Sequence, residues 1–273
     1  MCGRYAATAN PDELVEEYEV DEVTGEWAGP SWNVAPTVAV PAVLERADKQ
    51  SGDVRRRLAQ LRWGLVPSWS KDLASGARMI NARVETVAEK PAFRKAFAAR
   101  RCLLPADGYY EWYASEAASG GKPRKQPFFI HRADGRRLSM AGIYEFWRNP
   151  AATGDEDPWV VSCSVITTTA TDAVGHIHDR MPMVVAEAAR QAWLDPALTD
   201  PQQALELLSV TEPELLEAYA VLPLVSNVRN DGPELLTALD EAPAQQAADP
   251  SGGAAAGPTG GADGDGETQE PLL

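Results

Sequence analysis

The second residue of the chain is a cysteine, in the run MCGRY. A side chain as small as that of Cys2 permits removal of the initiator Met1, so the mature chain is expected to begin with Cys2. It would then carry a free α-amine and a thiol two carbons apart. Such a 1,2-aminothiol condenses with an aldehyde to an imine, and the thiol closes a five-membered thiazolidine. Three further runs hold residues suited to proton transfer or orientation. INARVET (80–86) alternates polar Asn81, Arg83 and Glu85 with small and apolar residues. DGYYEW sets Glu111 among aromatics, which raise a carboxyl toward neutrality. GHIHDRMP offers His176 and His178 beside Asp179 and Arg180. Each run also has a plainer reading: Asn81 as a turn or cap residue, Glu111 as a half-exposed strand residue, His178 as a structural histidine. The pair His176 and His178 is half a metal site at most, and Cys2, Cys102 and Cys163 add no ligand spacing, so no metal or other cofactor is expected.

The elements that must hold these residues are mostly short strands. NPDELVEEYEV reads as a helix with Asn10 as N-cap, Pro11 in its first turn and Glu13 completing a capping box. TVAVPAVLE, RRLAQLRWGLV and WVVSCSVITTTA read as strands, and MPMVVA as a short one. KPAFRKAFAARR has helical spacing through Phe93 and Phe97. RCLLPADGYYEWY reads as strand, turn and strand about Asp107-Gly108, and QPFFIHRADGRRLSMAGIYEFW as a hairpin about Asp134-Gly135. Residues 187–220 alternate helical patterns with proline breaks, and AVLPLVSNV closes the folded part. Residues 45–57, 115–125 and 148–158 read as loops. With no regular βαβ alternation, the expected class is α+β: one domain with a mixed, barrel-like, mostly antiparallel core and peripheral helices.

Composition sets the outer limits. The chain has 273 residues, eight Trp and 44% hydrophobic residues, enough for a full core. No apolar run is long enough to span a membrane and no signal peptide opens the chain, so a cytoplasmic, nucleoid-associated location is expected, with reduced thiols. Cys102 and Cys163 lie in apolar runs and are expected to be buried. The net charge of −15 argues at first against nucleic acid. Seven of the acids, however, lie in 237–273, where there is no Lys or Arg. From about residue 240 the chain is Ala, Gly, Pro, Asp and Gln, a composition expected to stay disordered. Basic residues cluster at Arg55, Arg56, Arg57 and Arg62, and at Arg94, Lys95, Arg100 and Arg101, leaving room for a basic cleft on an acidic body.

Nine runs occur in order: MCGRY, WNVAPT, RWGLVPSW, INARVET, CLLPADGYYEW, PFFIHRADG, AGIYEFW, VITTTA and IHDRMP. Together they resemble the SRAP family of abasic-site processing proteins, over residues 2 to about 228, with the domain taken to 235. The resemblance implies that Cys2 links covalently, as a thiazolidine, to the ring-opened aldehyde of an abasic deoxyribose in single-stranded DNA. It implies that His178 transfers a proton at the sugar ring oxygen, that Glu111 exchanges protons beside the cysteine amine, and that Asn81 orients the new ring. Gly3, Arg4, Arg83, Thr167 and Arg180 sit in matching motifs as DNA-binding residues, with the arginines and Thr167 suited to phosphate. Asn33, Pro36 and Trp69 are candidates for a surface that wedges or stacks against flanking bases. Trp63 and Trp112 are expected in the core. An imine at C1′ also makes β-elimination available, so a lyase side reaction and crosslink reversal belong to the implied chemistry. The family also has a peptidase character, tied to exposing the cysteine. Its setting is the response to DNA damage, with replication-fork factors as conceivable partners and a monomer on DNA as the simplest state.

Two other readings stay open. An N-terminal-nucleophile peptidase or amidase would also use Cys2, and would need an oxyanion hole and an amide pocket. A noncovalent reader of modified DNA would tolerate loss of Cys2.

Overall fold

The computed structural model describes residues 2–48, 51–114, 125–153, 158–170, 172–209 and 215–241. In chain order the elements are β1 (Tyr5–Ala7), α1 (Pro11–Tyr18), β2 (Glu22–Thr24), β3 (Ser31–Val34), β4 (Ala39–Ala47), β5 (Val54–Trp63), β6 (Asn81–Arg83), α2 (Val84–Val87), α3 (Arg94–Ala99), β7 (Arg101–Ala106) and β8 (Gly108–Ala114). They continue with β9 (Lys125–Arg132), β10 (Leu138–Arg148), β11 (Trp159–Thr169), α4 (Asp172–Gly175), β12 (Arg180–Pro182), β13 (Val184–Val185), α5 (Arg190–Leu194), α6 (Pro201–Glu206), β14 (Leu208–Ser209) and β15 (Leu216–Ala220). The class is α+β, mostly strands. In the larger sheet β11, β5, β4, β7 and β10 pair in turn, and β10 pairs back to β11, which closes a five-stranded barrel. The smaller sheet runs β15-β9-β8-β1-β3 and is antiparallel throughout.

Alternation along the barrel strands sorts the core. Leu44, Trp63, Cys102, Leu104, Met140, Tyr144, Cys163 and Val165 form one buried cluster, joined by Cys2, Tyr5, Tyr109 and Ile130 of the smaller sheet and its lead-in. The intervening Val43, Leu58, Leu103, Ile143 and Ile166 form a second, with Leu14, Phe97, Trp193 and Ala204 of the helices. A helix does not fit inside five strands, so the helix-covered face is the outside and the first cluster fills the interior. Cys102 and Cys163 are buried there, as expected.

The first helix forms as its sequence dictates. Asn10 Oδ1 accepts the Glu13 N–H at 3.0 Å, and the Glu13 carboxylate accepts the Asn10 N–H at 3.2 Å. The strand, turn and strand about Asp107-Gly108 form as expected but do not pair with each other, and the expected hairpin about Asp134-Gly135 does not form. At Asp107-Gly108 the chain crosses from the barrel to the smaller sheet: β7 pairs β4 and β10, whereas β8 pairs β1 and β9. The Asp107 carboxylate accepts the Thr8 N–H at 2.7 Å and so ties the crossing to the end of β1. Gly108 is needed for close approach, since a Cβ there would meet the Ile130 carbonyl at 2.5 Å. At Asp134-Gly135 the chain does turn, with Gly135 at φ 70°, but β9 belongs to the smaller sheet and β10 to the barrel. Turn residues specify reversal; pairing is decided by which strand edges are open, and β10 closes the barrel through β7 and β11. Much of 45–57 is not loop, because β4 and β5 pair as a hairpin from Ala39–Arg62 to Ala47–Val54. Residues 216–220, within the stretch read as helical, form β15 on the edge of β9. MPMVVA is divided between β12 and β13 at Met183. The acidic tail from 242, and most of the 115–125 loop, lie outside the described residues.

Four of the eight clustered basic residues are taken up by the fold rather than by a cleft. Arg56 is bound by Glu45 at 2.8 Å and by the Tyr18 carbonyl at 2.8 Å, and Arg57 by Glu22 at 3.0 Å. Arg100 pairs with Glu145 at 2.7 Å. Arg101 is buried and donates to the carbonyls of Trp193, Phe97, Ala98 and Asp195. These arginines serve the fold, since a buried guanidinium needs all of its donors satisfied.

Candidate active site

Cys2 leads into β1, whose Tyr5 pairs with Val34 of β3 and Tyr109 of β8. This places Cys2 at the junction of the two sheets, fully buried. Its carbonyl accepts the Asn81 side-chain amide at 2.8 Å. Asn81 opens β6, which runs parallel to β11 with Asn81 beside Val165. One amide therefore joins the large sheet to the lead-in of the small one. The other half of that amide, Oδ1, is buried with no hydrogen-bond partner among the described residues. Such an orphaned acceptor is costly in a finished core and suits a site that awaits a donor.

Glu111 lies mid-strand in β8 opposite Phe128, with 3% of its surface exposed. Burial, reinforced by the negative Asp179, pushes its carboxyl up to about 7. The imidazole of His178 faces it, with Nε2 3.9 Å from Glu111 Oε2. His178 Nδ1 accepts the Arg180 N–H at 3.0 Å and lies 2.9 Å from Asp179 Oδ1. Burial lowers the His178 pKa. Both partners are thus held toward their neutral forms, and a carboxyl titrating near neutrality beside a neutral imidazole can pass a single proton either way. Burial, with the Glu111 charge second, pushes the Cys2 thiol far up, so it stays protonated at neutral pH.

Above this pair opens a recess of about 520 Å³ lined by Glu111, Trp112, Lys125, His178 and Ser226. Trp112, expected in the core, is half-buried and forms part of this wall. Its indole N–H donates to Ser226 Oγ at 3.1 Å, and the Arg4 guanidinium lies 5.7 Å from its ring centre. Lys125 and Ser226 were not singled out by the sequence. Lys125 reaches the site because β9 pairs with β8, and Ser226 because its short helical turn packs there; neither carries a local signal. Trp63 is buried as expected, edge-on to Tyr5 with ring centres 5.0 Å apart.

The remaining candidates divide into two groups. On the large sheet Arg83 is exposed and pairs in register with Thr167. Arg180 grips Glu85 through both carboxylate oxygens, at 2.6 and 3.1 Å, and donates to the Thr167 carbonyl at 2.6 Å. Thr167 is only 1% exposed, and its hydroxyl already accepts from Arg180 at 3.3 Å. On the small sheet Gly3 is half-buried beside Cys2. Arg4 donates to Asn33 Oδ1 at 2.7 Å and to the Val225 carbonyl at 2.8 Å. Asn33 is buried and not free to wedge between bases: its amide donates to the carbonyls of Asn227 at 3.1 Å and Asn230 at 2.6 Å. That bracket holds the 225–230 segment against β3. Pro36 is half-buried in a turn whose next residue, Thr37, has φ 74°. Trp69 stands out from the loop after β5, with 66% of its surface exposed.

Among the described residues, no helix is long and apolar enough to cross a membrane. The family model described as SOS response associated peptidase (SRAP) matches residues 1–228. The abasic site processing protein YoqW of Bacillus subtilis (strain 168) is 36% identical over 238 residues, which cover 86% of this chain and 99% of the relative. The abasic site processing protein HMCES of Pongo abelii is 32% identical over 281 residues, covering 88% of this chain and 77% of the relative. A crystal structure of a Bacteroides thetaiotaomicron protein superposes with a TM-score of 0.70 at 23% identity, covering 87% of this chain and 99% of the other, and supports the fold. A phage-related protein of Bordetella bronchiseptica does so with a TM-score of 0.59 at 30% identity, covering 81% and 94%. Ordered motifs, closed barrel and these matches agree: the chain belongs to the SRAP family.

Proposed function

We infer that this protein captures abasic sites in single-stranded DNA, using Cys2 as a two-pronged nucleophile once Met1 is gone. The observation that carries the reading is that buried Cys2 is held by Asn81 and lies near enough to Glu111 for that carboxylate's charge to raise its thiol, while His178 faces Glu111 at 3.9 Å.

The chemistry follows from the protonation states. The closed sugar enters the recess; the proton shared by the Glu111–His178 pair passes from His178 to the ring oxygen as the C1′–O4′ bond breaks, and the C1′ hydroxyl gives its proton to Glu111, leaving the aldehyde. The α-amine of Cys2 attacks C1′ first in its neutral form, which a free α-amine, with a reference pKa of about 7.7–8.0, populates usefully at pH 7. Loss of one water gives the imine, with Glu111 taking and returning the proton that the carbinolamine oxygen needs to leave. The protonated thiol then adds its sulfur to the imine carbon, and its proton goes to the nitrogen, directly or through Glu111. A thiol kept neutral until the imine forms reacts second, which is the order that thiazolidine closure requires. Asn81 keeps the Cys2 carbonyl fixed and offers Oδ1 to the new ring or to a sugar hydroxyl. β-Elimination from the same imine is the competing lyase route. The setting is DNA damage, where the covalent bond shields the lesion.

The experiment is a denaturing gel of purified protein with a single-stranded oligonucleotide bearing one abasic site, beside Cys2→Ala, with intact-mass analysis of the N-terminus. A heat-stable shifted band that needs Cys2, from protein lacking Met1, supports the reading. No shifted band, or one unchanged in Cys2→Ala, overturns it.

A further inference from the structure

An abasic nucleotide carries a phosphate on each side of its sugar. The site, by contrast, is built from two sheets that meet at Cys2. On the barrel side the candidate phosphate-binding arginines are Arg83, exposed on β6, and Arg180, on β12 two residues beyond His178, whose guanidinium is already held by Glu85 and the Thr167 carbonyl. On the smaller sheet Arg4 is committed to Asn33 and to the Val225 carbonyl. That leaves Lys125. It opens β9, pairs with Ala114 at the end of β8, and is exposed. It stands three residues from Phe128, the partner of Glu111, about 10 Å along the strand. Among the five residues lining the recess, it is the one with a permanent positive charge.

We propose that Lys125 is a phosphate-binding residue that holds one of the two phosphodiesters flanking the abasic sugar, the other lying toward Arg83 and Arg180 of the barrel. This rests on the reading that the recess takes an abasic nucleotide. A lysine fits this place because an ammonium on a flexible stem follows a phosphate oxygen without the fixed geometry of a guanidinium fork. The two sheets then grip the strand on either side of the gap left by the missing base. The sugar is held over Cys2 by backbone contacts, as a lesion without a base requires.

Binding is measured with a single-stranded oligonucleotide carrying a tetrahydrofuran residue, which lacks the aldehyde, across a salt series, for wild type, Lys125→Gln and Lys125→Arg. One phosphate contact contributes about 0.7 to the slope of log affinity against log salt on single strands, so Lys125→Gln lowers the slope by about that amount and Lys125→Arg restores it. Replacing one flanking phosphate of the tetrahydrofuran with a neutral methylphosphonate removes the difference between wild type and Lys125→Gln; replacing the other does not. An unchanged slope in Lys125→Gln, or a difference that survives both replacements, overturns the proposal. No covalent step enters this test, so it stands apart from the fate of the thiazolidine reading, which would fail on the Cys2 gel alone. On a true abasic oligonucleotide the Lys125→Gln effect falls on the half-saturating DNA concentration rather than on the rate at saturation.

Discussion

His178 Nε2 lies 3.9 Å from Glu111 Oε2, across the seam between the barrel and the smaller sheet. The gap is too long for a direct hydrogen bond and suits one reacting oxygen or a water between the two groups. Glu111→Gln keeps the shape and removes the proton exchange. Crosslink formation with an abasic oligonucleotide is expected to slow about 10²–10⁴-fold in Glu111→Gln and in His178→Gln. The double variant is expected to lose far less than the product of the two, because the groups act as one unit. A product-like loss in single-turnover rates would show that they act independently.

The raised Glu111 carboxyl also ties stability to pH. Its folded pKa, about 7, lies above the ordinary carboxylate value, so the folded state holds its proton more tightly. The associated stability is fully present below about pH 4 and is lost as pH rises through 7. Glu111→Gln carries no such charge. Urea midpoints are therefore expected to show Glu111→Gln gaining on wild type from pH 5 to pH 8, by about 1–3 kcal/mol. Parallel pH profiles for the two proteins would contradict the buried-carboxyl account.

Asn81 joins the sheets through the Cys2 carbonyl. Asn81→Ala leaves that carbonyl without its donor in a buried setting and is expected to cost about 1–3 kcal/mol. It should also slow ring closure more than it weakens binding to a tetrahydrofuran oligonucleotide. Equal loss in both readouts would make Asn81 a binding residue.

Gly108 sets the crossing that delivers Glu111. A Cβ there would sit 2.5 Å from the Ile130 carbonyl and 2.5 Å from the Phe129 ring. Gly108→Ala is expected to destabilise by about 1–3 kcal/mol. Thermal unfolding measures this, and an unshifted midpoint would mean that β8 and β9 can separate without strain.

Arg180 holds Glu85 by two oxygens and Thr167 by its carbonyl. Lysine cannot reproduce the fork. Arg180→Lys is expected to weaken DNA binding although the charge is kept, and the salt slope separates lost geometry from lost charge: it should stay within experimental error while affinity falls.

Local chemistry was legible wherever a few adjacent residues decide it. The Asn10–Glu13 cap, the strand 159–169, the inner parts of the strands 39–47 and 54–63, and the buried Cys102 and Cys163 follow from their own neighbours in sequence, whereas the ends of that strand pair, read as loop, were drawn into a hairpin by pairing. The ordered motifs around Cys2 likewise marked the family. The strand pairs on either side of two turns show the limit. Asp107-Gly108 and Asp134-Gly135 mark turning points, but a strand's alternation is the same whichever sheet it joins, and partners are chosen by barrel closure across the whole chain.

Side-chain assignments divide the same way. The residue type showed that Arg4, Arg101, Asn33 and Thr167 can bind, but not what they bind. Folding gave Arg101 four carbonyls, Asn33 the 225–230 segment and Thr167 the fork of Arg180, and it brought Lys125 and Ser226 to a recess that no run of sequence announces. The nucleophile, the capped first helix and the apolar centres of the long strands were readable from residue order, because they depend on covalent structure and near neighbours, whereas β15 and the ends of the β4–β5 hairpin were not. Which polar groups surround that nucleophile, and how far their pKa values move, was settled by folding, because burial and partners separated by tens of residues exist only once the two sheets close on each other.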